Sequence, residues 1–283
     1  MDLPVNAVLG LAAAAAWGGG DFSGGMGVKA AGGFTRAALR VVVLAHLLSF
    51  AVLAGILWGQ GARVPHGALL GWGLMGGFAG GVSLTAFYMA LARGAMGVSA
   101  AVSGLLAAAI PAVVSTFVEG APGLLRLAGF ALALVAIWVI AAGPGESSRG
   151  TLGLAVLAGV GFGIYFVALR MANPLGVFLP MTLARAGSLV TCGLALLFVR
   201  GESVRLTRAA WGWIVGVAVL DTGGNLLFIW ATRLGRLDVA AVLASLYPAS
   251  TILLAAWRLH ERPTRRQVAG MGVALAAVVM ITL

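Results

Sequence analysis

Asp221 stands near the centre of an apolar run, 209–232, that holds no basic residue close to it, and Asn225 follows four residues later. An ionisable side chain at membrane depth is costly and is a functional candidate by default. At i and i+4 the two side chains share one helical face. An acid there can take up a proton and release it as a polar or cationic solute arrives, with Asn225 orienting the carboxyl or holding the solute. A second intramembrane acid, Asp21, sits in the stretch WGGGDF one turn after Trp17. Tyr88, Tyr165, Trp230, Ser245 and Tyr247 complete the candidate set. Aromatic walls with a few polar points are the usual build of a small-molecule site.

Other chemistries find no footing. The single cysteine, Cys192, lies inside an apolar run and can form neither an internal disulfide nor a thiolate cluster. The histidines, His46, His66 and His260, lack ligand spacing, and His46 reads as a buried hydrogen-bonded side chain. There is no Gly-rich phosphate loop, nucleophile elbow or registered carboxylate pair. The expectation is therefore a non-enzyme with no metal and no cofactor.

The elements that must position these residues follow from composition. Of 283 residues 61% are apolar and 9% charged, and the mean hydropathy is +1.06. Such a chain cannot cover itself with a water-facing surface. Ten apolar runs, roughly 5–27, 36–58, 67–92, 97–118, 122–142, 151–171, 178–199, 209–232, 239–257 and 266–283, can each cross a hydrocarbon core of ~30 Å. In lipid every backbone polar group must be satisfied within its own segment, so they read as helices. The first run lacks a basic n-region and a cleavage site and reads as retained.

The runs repeat. Gly71, Trp72, Phe87 and Ala90 recur as Gly212, Trp213, Phe228 and Ala231, a constant offset of about 141 residues. Gly18 and Gly20 recur as Gly161 and Gly163; Gly94, Val98, Glu119 and Pro122 recur as Gly235, Val239, Glu261 and Pro263. Arg40 and Arg185, each near the start of a span, are further counterparts. The expected fold is an all-α integral membrane protein of ten transmembrane helices, arranged as two five-helix repeats, residues 1–145 and 146–283. Five crossings per half is an odd number, so the second half enters from the opposite face and the repeats are inverted. Such halves place a site at their interface near the midplane, and exchanging their conformations moves access from one side to the other. Small residues set close helix contacts: Gly77 and Gly81 in span 3, Gly20 and Gly24 in span 1. Glu119 and Glu261 fall in hinges and read as helix-terminating residues.

Ten helices in a five-plus-five repeat, WGxxDF (Trp17, Gly18, Asp21, Phe22) and the closing stretch LYPASTILLAAWRLHERPTRRQVAGMGVAL resemble the EamA-type branch of the drug/metabolite transporter superfamily. The first half departs from the pattern, with Pro111 a turn later than its counterpart Pro248. The resemblance implies a secondary transporter that exports a small organic metabolite, amino acid or drug-like solute by alternating access. A passive facilitator or exchanger, or a non-transporting scaffold subunit, are the alternatives. The implied partners are a small-molecule substrate, protons as the candidate coupling ion, and the lipid bilayer, in a monomer or homodimer at the inner membrane. The net charge of +10 reads as topology and headgroup contact rather than nucleic acid. Lys and Arg concentrate in the loops after odd-numbered spans, which places both termini outside, whereas the resemblance implies both inside. The two agree that the termini share a side.

Overall fold

The structure is a computed structural model that describes residues 4–33, 35–93, 96–141, 149–200, 206–259 and 264–282. The regular elements in them are all helical: α1 (Val5–Ala30), α2 (Thr35–Gly59), α3 (Ala68–Arg93), α4 (Met96–Val118), α5 (Leu124–Ala141), α6 (Arg149–Met171), α7 (Phe178–Phe198), α8 (Arg208–Leu234), α9 (Leu237–Ala244), α10 (Tyr247–Leu259) and α11 (Arg265–Thr282), with a short 3-10 turn at Asn173–Leu175. Six segments are long and apolar enough to cross a bilayer: Thr35–Gly59, Ala68–Leu91, Arg149–Met171, Phe178–Phe198, Arg208–Leu234 and Leu237–Leu254. The outer surface is apolar as well. Trp58, Phe117 and Phe198 are each more than 80% exposed, a surface that suits lipid rather than water.

The ninth apolar run, read from sequence as one helix over 239–257, is two helices, α9 and α10, separated at Ser245 and Leu246. Pro248 explains the break: it has no N–H to give and its ring crowds the carbonyl four residues back, at Ala244. Bonds from Ser245 N to Ala241 O (2.9 Å) and from Leu246 N to Leu243 O (3.2 Å) tighten the last turn of α9. In the first half Pro111 lies inside α4, which stays continuous. The boundary at residues 145/146 and the hinge residues Glu261 and Pro263 lie outside the described residues.

Packing crosses between the halves. α1 lies chiefly on α8 and α3 on α6 and α7, while α2 meets α7, α5 meets α11, α4 meets α6, and α9 with α10 meets α1. Small residues permit the closest approaches. A Cβ at Gly77 would overlap the Ala184 carbonyl and come within 2.8 Å of Gly187 Cα on α7; Gly81 faces Ser188 and Cys192. Gly20 rests on the Asp221 backbone, and Gly24 on the Tyr88 ring.

The hinge after α4 is tied rather than loose. Glu119 accepts from Ser115 Oγ (2.8 Å), Arg170 Nε (2.9 Å) and the Leu237 N–H that opens α9 (2.9 Å). Arg236 donates to the carbonyls of Glu119 and Gly120 and pairs with Asp238 at 2.7 Å. Burial by itself would raise the Glu119 carboxyl, but the Leu237 N–H, the Ser115 hydroxyl and the Arg170 guanidinium outweigh it and hold it below the ordinary glutamate value. A depressed folded-state value means that this clamp stabilises the protein above the unfolded glutamate pKa and is lost as pH falls through the folded one. The melting temperature of the wild type is therefore expected to exceed that of Glu119→Gln at neutral pH, with the gap closing in acid. A gap that persists unchanged at pH 3 would remove ionic pairing as its source.

Candidate functional site

The site is built outward from α8. Its helical period aims Asp221, Asn225 and Phe228 inward together. Trp230, nine residues after Asp221, points about 180° away at 3.6 residues per turn and is 52% exposed on the outer surface. This corrects the sequence reading that placed Trp230 in the site.

Asp221 is also not the lone carboxylate its own span implied. Arg185, seven residues into α7 and only 4% exposed, reaches it through Nη2 at 2.5 Å and gives a second bond to Thr222 Oγ1 at 2.9 Å. The other terminal nitrogen, Nη1, lies 2.6 Å from His46 Nε2 on α2. A guanidinium has donors only, so Nε2 must accept and the imidazole is neutral with its proton on Nδ1. That proton points at Ser188 Oγ, 2.7 Å away. Thr222 Oγ1 donates a hydrogen bond to Ser49 Oγ at 2.7 Å, and the Ser49 hydroxyl donates to the Ala45 and Ala218 carbonyls. Asn225 donates to the Asp221 carbonyl (2.6 Å) and carboxylate (3.2 Å), and accepts from Tyr165 Oη at 2.8 Å. One connected chain, Ser188–His46–Arg185–Asp221–Asn225–Tyr165, thus ties α7, α2, α8 and α6 together. Buried charge at this depth persists because pairing and hydrogen bonds offset its desolvation.

This chain borders two small cavities. One of about 20 Å³ lies between α3 and α7, lined by Gly77, Gly81, Arg185 and Ser188. The other, about 40 Å³, is lined by Trp17, Asp21, Phe162, Tyr165, Phe166, Asp221, Asn225 and Tyr247. A water needs ~10–15 Å³, whereas sites for drug-sized ligands are roughly 300–1,000 Å³. In this conformation the two cavities have room for only a few waters. The aromatic wall is ordered: Trp17 stacks on Phe166 at 5.1 Å, and Phe166 meets Phe228 at 4.6 Å.

Of the sequence candidates, Asp221, Asn225, Trp17, Asp21, Tyr165 and Tyr247 meet at the larger cavity. Tyr88 is fully buried against Gly24, and Ser245 is buried at the α9–α10 break; neither hydroxyl has a partner among the described residues. Sequence reasoning did not assign Arg185, His46, Thr222, Ser188, Phe162 or Phe166 to the site. Arg185 carried a usable signal, a basic residue set inside an apolar run. His46 carried the same kind of signal, an ionisable residue inside an apolar run, but its partner is 139 residues away.

No curated protein matches the chain. A protein of known crystal structure superposes with a TM-score of 0.76 over 99% of this chain and 97% of its own, at 17% identity, a likeness of fold. The family model for EamA-like transporters matches residues 150–283, which span α6 to α11 and supply Asp221, Asn225, Arg185 and Tyr165. Over those residues the chain is similar to the EamA-like transporter family of the drug/metabolite transporter superfamily, a family of multi-pass membrane transporters of small solutes.

Proposed function

We propose that the protein is a secondary-active exporter in the inner membrane. It would move a small organic solute by alternating access between two inverted five-helix halves, residues 1–145 and 146–283. The observation that carries this reading is the chain of buried polar residues around Arg185 and Asp221, which abuts an aromatic cavity walled by helices of both halves. The packing supports the repeat. Exchanging α1–α5 for α6–α11 converts the α1–α8 contact into α6–α3, returns α2–α7 and α5–α11 to themselves, and converts α4–α6 into the contact of α9 and α10 with α1. One pair breaks the exchange: α3 lies close on α7, while its counterpart, α8 on α2, is looser. Two halves that differ in this way interconvert by swapping conformations, which is what alternating access requires.

The helix count supports it too, with α9 and α10 together forming the ninth crossing. Discontinuous helices near the midplane commonly frame the site in such transporters. Asp221, neutralised by Arg185, is a poor proton carrier. Asp21 makes no hydrogen bond or ion pair with any described residue and takes that role instead. The test is solute flux in proteoliposomes with and without an imposed proton gradient. Accumulation that follows the gradient is expected. Flux that only equilibrates the solute would make the protein a facilitator, and absence of flux for every solute class would leave a scaffold.

A further inference from the structure

The larger cavity is acidic. Two carboxyl groups, Asp21 and Asp221, line it, no basic residue does among the described residues, and the Arg185 guanidinium that pairs with Asp221 is committed to Asp221, His46 and Thr222. Asp21 is 9% exposed, borders the cavity, and has no bonding partner among the described residues. The charged group that acts on it most directly, Asp221 on α8, has the same sign, and its remaining ionisable neighbours are Tyr88 on α3 and Tyr247 on α10. His46 on α2 and Arg185 on α7 lie against Asp221. A buried carboxylate without a partner is expensive, so Asp21 must hold either a proton or a cationic ligand.

The walls say what fits. Trp17 lies one turn before Asp21 on the same face of α1, and Phe162, Phe166, Tyr165 and Tyr247 surround the same space. Aromatic faces attract cations, by roughly 2 kcal/mol or more where water is excluded, and offer nothing to an anion. A neutral solute leaves the proton on Asp21, whereas a cation can take its place. We propose that Asp21 binds the positively charged head of a monovalent organic cation, with the apolar body of the solute against the Trp17–Phe166 stack. This assignment rests on the transporter reading and names its substrate class. The cavity is smaller than such a solute in this conformation, so the cation enters when the halves open.

Binding to the purified full-length protein, followed by calorimetry, tests it with three probes: benzyltrimethylammonium, its uncharged carbon isostere neopentylbenzene, and zwitterionic phenylalanine. The cation is expected to bind the wild type about tenfold or more tightly than the isostere. Asp21→Asn should abolish that preference, and Asp21→Glu, which keeps the charge, should retain it. Equal affinity for cation and isostere, a preference for phenylalanine, or an Asp21→Asn variant that still prefers the cation would overturn the assignment. If the Asn variant does not fold, the probe comparison on the wild type and on Asp21→Glu decides alone. Flux of the same probes in proteoliposomes separates this inference from the one beneath it. A protein that transports solutes without favouring the cation refutes the cation site and leaves transport standing. A protein that binds the cation through Asp21 but moves no solute refutes transport and leaves the site standing.

Discussion

Arg185→Leu is expected to cost about 3–5 kcal/mol of stability, the loss typical when one member of a buried ion pair is removed and the other is left uncompensated. Three partners lose their donor at once: Asp221 Oδ2, Thr222 Oγ1 and His46 Nε2. Thermal unfolding in detergent measures the effect, and solute flux should vanish with it. The double variant Arg185→Leu with Asp221→Leu separates charge balance from packing. Replacing a whole buried pair by apolar residues is often nearly neutral, so the double variant should regain most of the lost stability while flux stays absent. Asp221→Asn is correspondingly not a silent isostere, since it strands the Arg185 cation between α7 and α8. An Arg185→Leu protein that melts with the wild type would show that the pair contributes nothing to folding.

The second large effect is expected at Gly77. Any side chain there meets backbone, the Ala184 carbonyl and Gly187 Cα, and backbone cannot swing aside as a side chain can. Gly77→Leu should force α3 off α7 and cost about 1–3 kcal/mol or more through overpacking, read as a lower melting temperature and a poorer folded yield. At Gly81 the neighbours are the Ser188 and Cys192 side chains, so a leucine there should be milder for folding but should disturb the Ser188–His46–Arg185 bonds and hence transport. Gly71 is the internal control. It lies in the same helix with nothing within 4 Å of an added Cβ, so Gly71→Ala should be neutral or stabilising by roughly 0.5–1 kcal/mol. Equal losses at Gly77 and Gly71 would mean that helix propensity, and not the α3–α7 contact, sets the cost.

Much of the architecture was legible because it is written locally. A run of about 20 apolar residues has one solution in lipid, a helix that satisfies its own backbone. Hence the positions of α1 to α8 and α11 follow from hydropathy alone, and the family pattern in 150–283 agrees. The break in the ninth run was less visible, since Pro248 can kink a helix or end it, and the choice depends on what packs beside Ser245. The site divides along the same line. Asp21, Trp17, Asp221 and Asn225 announce themselves as polar or aromatic residues spaced on one face of an apolar helix. Trp230 passed the same screen and failed, because residue type does not say which way a helix is rotated; its angle to Asp221 does. The pairing of Asp221 was invisible, as Arg185 and His46 come from α7 and α2, and an ion pair depends on separation in space. What the sequence by itself determined is a membrane-embedded helical protein with costly polar groups inside its apolar runs. Only the tertiary structure decided which carboxylate is paired and which has no partner among the described residues, because that depends on distances of a few ångströms between helices far apart along the chain.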